Sequence, residues 1–346
     1  MSLRIGFCGY ATEQGLGMLG KAFYEAGLTT EALIHIHPHF SRPTHREWYP
    51  NGLFMNRPFR GPEVNEFLKR IDVCLFFETA FDWPFVTLCR ERGIKTAIIP
   101  MYEWHAPMAS MSKDITPDLY ICPSLLDLQY FPDGVFLPVP VDPSKWQQRY
   151  QAKRFLHNGG HLGCRGHKGT LEIMQAMEHV KSPLHLTIRS QDIDGLNQKI
   201  RECPSILGNP QVAIERGPVP YESLFSTDYD VFIMAEKFNG LSLPLQEARA
   251  AGMLVMTSDR FPMNTWLPQE ALIPVESYHE ARVSAGHNLF QEAVVNPRDI
   301  AAKMDEVYGS NIEGYSEQSR LWAMENSWEA LKPKYIQVLE DLCNRR

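Results

Sequence analysis

The stretch Glu236-Lys-Phe-Asn-Gly-Leu-Ser-Leu-Pro-Leu-Gln-Glu-Ala-Arg-Ala-Ala-Gly252 follows a short apolar run, Val231 to Met234, and reads as a turn leading into a helix of small residues. Gly240 permits a sharp turn, and Pro244 suits the first helical turn, where a missing backbone N–H is tolerated. The amides of Gly240, Leu241 and Ser242 would then face an anion at the positive end of the helix. Glu247 lies about one turn farther in, where its two oxygens could accept hydrogen bonds from paired ribose hydroxyls. A structural alternative stands beside this: Glu247 complements the helix terminus, and Ala248, Ala250 and Ala251 let the helix pack closely on a sheet.

Working outward, short apolar runs alternate with helical patterns on both sides. Leu3 to Cys8, Leu33 to Ile36, Val73 to Phe77, Thr96 to Ile99 and Leu119 to Ile121 read as buried strands, with helices at Met18 to Ala26, Phe85 to Arg92 and Ser124 to Tyr130. Pro138, Pro140 and Pro143 then mark a stiff connection. The same grammar restarts with strands at Phe155 to His157, Leu184 to Ile188, Val212 to Glu215, Val231 to Met234, Leu254 to Thr257 and Ala271 to Pro274. Helices are expected at Leu171 to Val180, Pro244 to Ala251 and Pro297 to Tyr308, and over Glu317 to Leu342, where Pro333 would bend or divide the element. This layout predicts parallel α/β organisation, and 346 residues with 44% hydrophobic content suffice for two domains.

A net charge of -7 gives no broad reason to bind polyanions, leaving a local basic groove as the place for a smaller anion. The seven cysteines are scattered without a CxxC pair, as buried thiols in a reducing compartment would be. No apolar run is long enough to cross a bilayer, and a cytoplasmic setting is the expectation.

Two further glycine-rich loops follow strands. In Gly9-Tyr-Ala-Thr-Glu-Gln-Gly-Leu-Gly17, Gly15 and Gly17 could let amides approach a ligand, or could serve a tight turn that needs none. In Asn158-Gly-Gly-His-Leu-Gly-Cys-Arg-Gly-His-Lys-Gly169, Arg165 offers a planar donor fork and Lys168 a mobile point charge, a pair suited to a diphosphate; a solvated basic loop is the alternative. His161 and His167 lack an adjacent carboxylate set, so they are expected to donate hydrogen bonds rather than hold a metal. Asp192-Ile-Asp194 and Asp228-Tyr-Asp230 are short acidic patterns better explained by solvation or capping than by a catalytic ion.

Taken in order, these features resemble the retaining nucleotide-sugar glycosyltransferases built from two Rossmann-like domains, the GT-B architecture, and particularly glycosyltransferase group 4. Asn239 to Gly252 carries the resemblance most specifically, with Glu247 at the family's second acidic position and Asn239 at its first. Lys168-Gly169 looks like the family's diphosphate site, with His161 where an Arg often stands; Val139-Pro-Val-Asp142 resembles the entry to the interdomain linker, and Asn326-Ser-Trp-Glu329 the start of the closing helix. The resemblance implies two Rossmann-like domains facing across a cleft, residues 1–145 on the acceptor side and 146–322 on the donor side, with 323–346 crossing back to the first domain. It also implies transfer from a nucleoside diphosphate sugar, here a UDP-sugar, to an acceptor hydroxyl on a saccharide, lipid-linked sugar or modified base, with no obligatory cofactor or metal. Arg165, Lys168, Asn239, Gly240, Leu241, Ser242 and Glu247 would hold the donor, Lys168 would stabilise the leaving phosphate, and Glu103 and His105 are the acceptor-side candidates near the family's histidine position. Asn239 supplies no negative charge, and Glu236 lies three positions away as a displaced carboxylate. That departure keeps open a binding or scaffold protein of the same architecture.

Overall fold

The computed structural model describes residues 3–36, 43–103, 105, 115–160, 166–220, 223–282 and 289–345. Backbone contacts divide the chain into two units: Met1–Pro140 with Trp328–Arg346, and Val141–Arg282 with Leu289–Ser327.

The first unit holds strands β1 (Ile5–Gly9), β2 (Glu31–His35), β3 (Leu53–Met55), β4 (Val73–Glu78), β5 (Lys95–Pro100), β6 (Leu119–Cys122) and β7 (Val135–Phe136). Helices α1 (Gly15–Glu25), α2 (Pro62–Lys69), α3 (Trp83–Glu91) and α4 (Leu125–Tyr130) connect them. The sheet runs β3-β2-β1-β4-β5-β6-β7 with parallel pairing throughout. β4 reads as a continuous apolar run because both of its faces are covered, as parallel sheets require. Phe76 packs with Phe67, Phe85 and Ile98 in one buried cluster. Gly17 is buried in α1, where a Cβ would stand 2.0 Å from the Thr12 carbonyl oxygen. The close approach of helix and loop therefore accounts for that glycine without a ligand.

In the second unit the strands are β8 (Arg154–Gly160), β9 (His185–Ser190), β10 (Val212–Arg216), β11 (Val231–Met234), β12 (Leu254–Ser258) and β13 (Leu272–Ile273), ordered β10-β9-β8-β11-β12-β13 and parallel. Its helices are α5 (Thr170–Ala176), α6 (Ile193–Glu202), α7 (Leu243–Ala250), α8 (Pro297–Val307) and α9 (Glu313–Glu325). Both sheets thus reverse direction once, between β1 and β4 and between β8 and β11, and open α/β sheets bind ligands at the carboxyl ends of the strands flanking such a point.

The two short acidic patterns have structural work. Asp192 caps α6 by accepting from the Gly195 amide at 3.0 Å, and Asp230 pairs with Arg154 at 2.8 Å. The antiparallel hairpin β14 (Ser277–Arg282) with β15 (Leu289–Val294) was not signalled by the α/β pattern. Its first strand is solvent-exposed from Ser277 to Glu280, so it lacks the alternation that burial of one face imposes.

The last helix, α10 (Trp328–Asn344), belongs to the first unit. Trp328 and Tyr335 meet Phe23 edge-on at 4.9 and 5.3 Å, the Tyr335 hydroxyl donates to the Pro138 carbonyl at 3.0 Å, and Lys332 Nζ donates to the Ala26 carbonyl at 2.7 Å. The break from α9 falls at Asn326 and Ser327, while Pro333 lies inside α10. Tertiary packing of the Trp328 to Leu342 face holds the helix through the one hydrogen bond that Pro333 removes. No helix among the described residues is long and apolar enough to cross a membrane.

Candidate functional site

At the reversal point of the second sheet, two chain segments meet. Gly169 precedes α5 in a left-handed conformation, φ +67°, and a Cβ there would lie 2.3 Å from the Ala235 carbonyl oxygen at the end of β11. Glycine is required by both the dihedral and the contact. This seats Lys168 beside the end of β8: its Nζ lies 3.2 Å from where a Cβ on Gly160 would be. Arg165 and His161 lie outside the described residues.

The second segment follows β11. Asn239 Oδ1 accepts from the amides of Leu241 at 2.9 Å and Ser242 at 3.0 Å, which folds the turn and aligns these N–H groups ahead of α7. The left-handed residue of the turn is Ser242, φ +47°, rather than Gly240. Pro244 sits in the first turn of α7, and Glu247, half-buried, projects from the same helix. Gln246 ties the turn further by donating to the Leu241 carbonyl at 2.6 Å.

Beneath the turn is Glu236, fully buried. Its Oε1 accepts from Asn239 Nδ2 at 3.0 Å and from the Ser242 hydroxyl at 3.1 Å. Burial pushes its carboxyl up to about 7, against the opposing pull of Arg260, Lys168 and these two hydrogen bonds. Arg260, buried just past β12, donates to the Asn239 carbonyl at 3.0 Å. Its place was not read from the sequence; the available signal was a charged pair, Asp259-Arg260, directly after an apolar strand. Two histidines line the same end of the sheet as neutral groups. His157 Nδ1 donates to the Ile233 carbonyl at 2.9 Å and its Nε2 accepts from the Thr170 hydroxyl at 2.8 Å; burial holds it down to about 4, and His167 to about 3. Lys237 is engaged by Glu172 at 2.8 Å and Glu292 at 3.5 Å. The arrangement brings a helix N-terminus, Lys168 and Arg260 to the end of the sheet that holds the buried Glu236, while the Leu241 and Ser242 amides are taken up by Asn239 within the turn.

The first unit gathers a different set at the ends of β4 and β5. Glu78 closes β4 with φ +67°, and Glu103 and Asp127 are buried. Burial first and the Glu103 carboxylate second raise Glu78 to about 8 and Asp127 to about 7. Asp127 accepts from the Tyr102 amide at 2.9 Å and bonds the Ser124 hydroxyl. His105 is fully buried among Trp83, Tyr120 and Phe131, and burial holds it down to about 4. Glu78 and Asp127 were missed in the sequence, where Glu78 stood out only as an acid ending an apolar strand. Gly15 opens α1 at the end of β1, exposed.

This cluster has a consequence for stability. A carboxyl raised on folding binds its proton more tightly in the native state, so its contribution is present at low pH and is lost as pH rises through the folded value. A histidine lowered to about 4 opposes this only below its unfolded value, about 6.5. The first unit is therefore expected to lose roughly 2 kcal/mol between pH 6.5 and 8, mostly from Glu78. Thermal denaturation of Glu78→Gln should show a flatter profile over that window; a slope equal to wild type would exclude Glu78 as its source.

Among the described residues, no group of three or more His, Cys, Asp or Glu side chains is placed to hold a metal ion. No protein-family model matches the chain, and no curated protein sequence does. Solved structures do match over nearly its whole length. A glycosyltransferase from Rickettsia africae ESF-5 aligns with TM-score 0.67 at 12% identity, covering 100% of both chains. Anabaena HepE, solved with UDP and glucose, gives 0.67 at 8% identity over 98% of this chain and 100% of its own. Sucrose-phosphate synthase from Thermosynechococcus elongatus gives 0.66 at 14% identity over 99% and 100%. The fold shared with these proteins is GT-B, two Rossmann-like lobes with a C-terminal helix returning to the first.

Proposed function

We propose that this chain is a retaining glycosyltransferase that moves a sugar from a nucleoside diphosphate sugar, UDP-linked, to an acceptor hydroxyl. The observation that carries the reading is the seating of Lys168 over the end of β8 at the reversal point of the second sheet, where Gly169 packs against the end of β11. HepE, of the same fold and solved with UDP and glucose, supports a UDP-linked donor. In this reading Lys168 and Arg165 neutralise the leaving diphosphate near the positive end of α7, Glu247 takes the ribose hydroxyls, and the Leu241 and Ser242 amides, expected as donors to the diphosphate, instead donate to Asn239 Oδ1 and shape the turn. Asn239 works inside the turn, where both ends of its amide are engaged. The acceptor hydroxyl is assigned to the first unit near Glu103 and Glu78, with His105 a neutral, ring-caged group that positions the segment. Retention follows if the acceptor attacks from the face the diphosphate leaves, with a donor phosphate oxygen taking its proton.

A second reading, donor binding without transfer, is favoured by one feature: position 239 carries an amide in place of a carboxylate. Mass spectrometry of products from mixed sugar donors and mixed saccharide, lipid-linked and nucleoside acceptors decides between them. Donor-dependent addition of a sugar mass is expected, reduced about tenfold or more in Glu247→Ala by loss of hydrogen bonds to a charged acceptor. Tight donor binding with no product would favour the binding protein, and undiminished transfer in folded Glu247→Ala would remove the ribose role.

A further inference from the structure

At the amino ends of β8 and β11, the second unit holds a cavity of about 600 Å³ whose lining includes Arg149, Tyr150, Lys153, Arg154, Asp230 and Tyr308. That is the size of a small-molecule site. The seven residues of β8 put roughly 20 Å of strand between this cavity and the carboxyl end of the sheet, where the Asn239 turn lies. Asp230 is already consumed within the wall. Its Oδ1 accepts from Arg154 Nη2 at 2.8 Å, and its Oδ2 from Arg154 Nε at 3.1 Å and from the Arg154 and Lys153 amides at 3.0 and 3.3 Å. Arg154 and Asp230 therefore cancel, and Arg149 and Lys153 remain as the net charge of the lining. Arg149 is only 3% exposed. Its Nη2 donates to the Ser226 carbonyl at 3.0 Å and the Phe225 carbonyl at 3.4 Å. Its buried Nε has no hydrogen-bond partner, and the guanidinium makes no ion pair among the described residues. Burial lowers its pKa, against the pull of Asp230 and of the exposed Asp228, both beyond ion-pair distance. Lys153 is exposed, with its amide on Asp230 and its ammonium in no ion pair among the described residues. A buried guanidinium without a counter-ion is costly, and a concave lining of this balance draws an anion from solution.

We infer that this cavity is a second ligand site, for a small phosphomonoester whose phosphate is held by Arg149 and Lys153 and whose ring lies against Tyr150 and Tyr308. Two unbalanced cations match a phosphate dianion better than a single carboxylate. Arg149 acts from inside the wall, where its field is little screened, and Lys153 closes on the phosphate from the rim. The cavity is larger than a phosphate group alone requires, and Tyr150, 61% exposed, makes no ring contact among the described residues. Such a face suits a sugar or nucleobase ring. The site binds without making or breaking a bond, and it does not depend on the donor reading above.

The test is calorimetric titration of glucose 6-phosphate, AMP and inorganic phosphate into the full chain as wild type, Lys153→Glu and Lys168→Ala. Lys153→Glu alters an exposed side chain and leaves the Arg154–Asp230 pair in place, while Lys168→Ala removes the cation of the Asn239 site. Wild type is expected to bind one equivalent of glucose 6-phosphate or AMP about tenfold or more tighter than inorganic phosphate. That binding should weaken about tenfold or more in Lys153→Glu and stay within about threefold of wild type in Lys168→Ala. Any other pattern overturns the inference, whether no phosphomonoester binds, inorganic phosphate binds as tightly, or affinity follows Lys168 in place of Lys153. Folded Arg149→Gln should weaken binding as Lys153→Glu does, and unchanged affinity there overturns the role of the buried guanidinium.

Discussion

Lys168→Ala is expected to lower donor-dependent sugar transfer by about two to three orders of magnitude, the range seen when one preorganised group is removed from developing charge. Lys168 is a half-buried side chain seated over the end of β8 and close enough to Glu236, His157 and His167 to shift all three. Its ammonium therefore works inside the reversal point rather than in bulk solvent, where a point charge would be screened. The fold should tolerate the change, because the backbone of the loop is fixed by Gly169 and α5 rather than by the lysine. Steady-state transfer and thermal denaturation together check this: lost transfer with a melting temperature within a few degrees of wild type. Transfer within threefold of wild type would place the leaving phosphate elsewhere.

Gly169→Ala should act through structure. An alanine at φ +67° costs about 1–2 kcal/mol, and a Cβ placed 2.3 Å from a backbone oxygen forces a shift of β11 or α5 worth about 1–3 kcal/mol more. The second unit is expected to lose roughly 2–5 kcal/mol, lowering its melting temperature by about 5–20 °C. Because the pressed atom belongs to Ala235, next to Glu236, the displacement should also separate Lys168 from the turn and weaken diphosphate binding. Gly309→Ala is the matched control: φ is +76°, and nothing lies within 4 Å of the added carbon. It should show the dihedral cost alone and leave binding intact. Equal melting temperatures for the two variants would contradict the steric account.

How much of this was legible follows from what each residue does. The apolar runs that became β1, β4, β8 and β11 were readable because parallel strands are covered on both faces. The Asn239 to Gly252 turn was readable because glycine, proline and a small-residue helix occupy fixed positions around it. Strand β3 and the β14–β15 hairpin were not. β3 is three half-buried residues, and the first hairpin strand is exposed, so neither carries a burial period. Within the site, Gly240 marked the turn, but its left-handed residue is Ser242, a position with no glycine to signal it. Glu236 was seen only as a displaced acid. It is held by Asn239, whose carbonyl is in turn bonded by Arg260 from twenty-one residues downstream, and such a contact has no local signature. Glu78, Glu103 and Asp127 raise the same difficulty in the first unit, where three separate segments supply the carboxyls.

The central claim, that the reversal point of the second sheet holds a nucleoside diphosphate, is tested most directly by the dissociation constant of UDP for wild type, Lys168→Ala and Glu247→Ala, measured side by side on folded protein. Binding of one UDP per chain is expected, weakened about tenfold or more in each variant. Equal UDP affinity in all three proteins would contradict it.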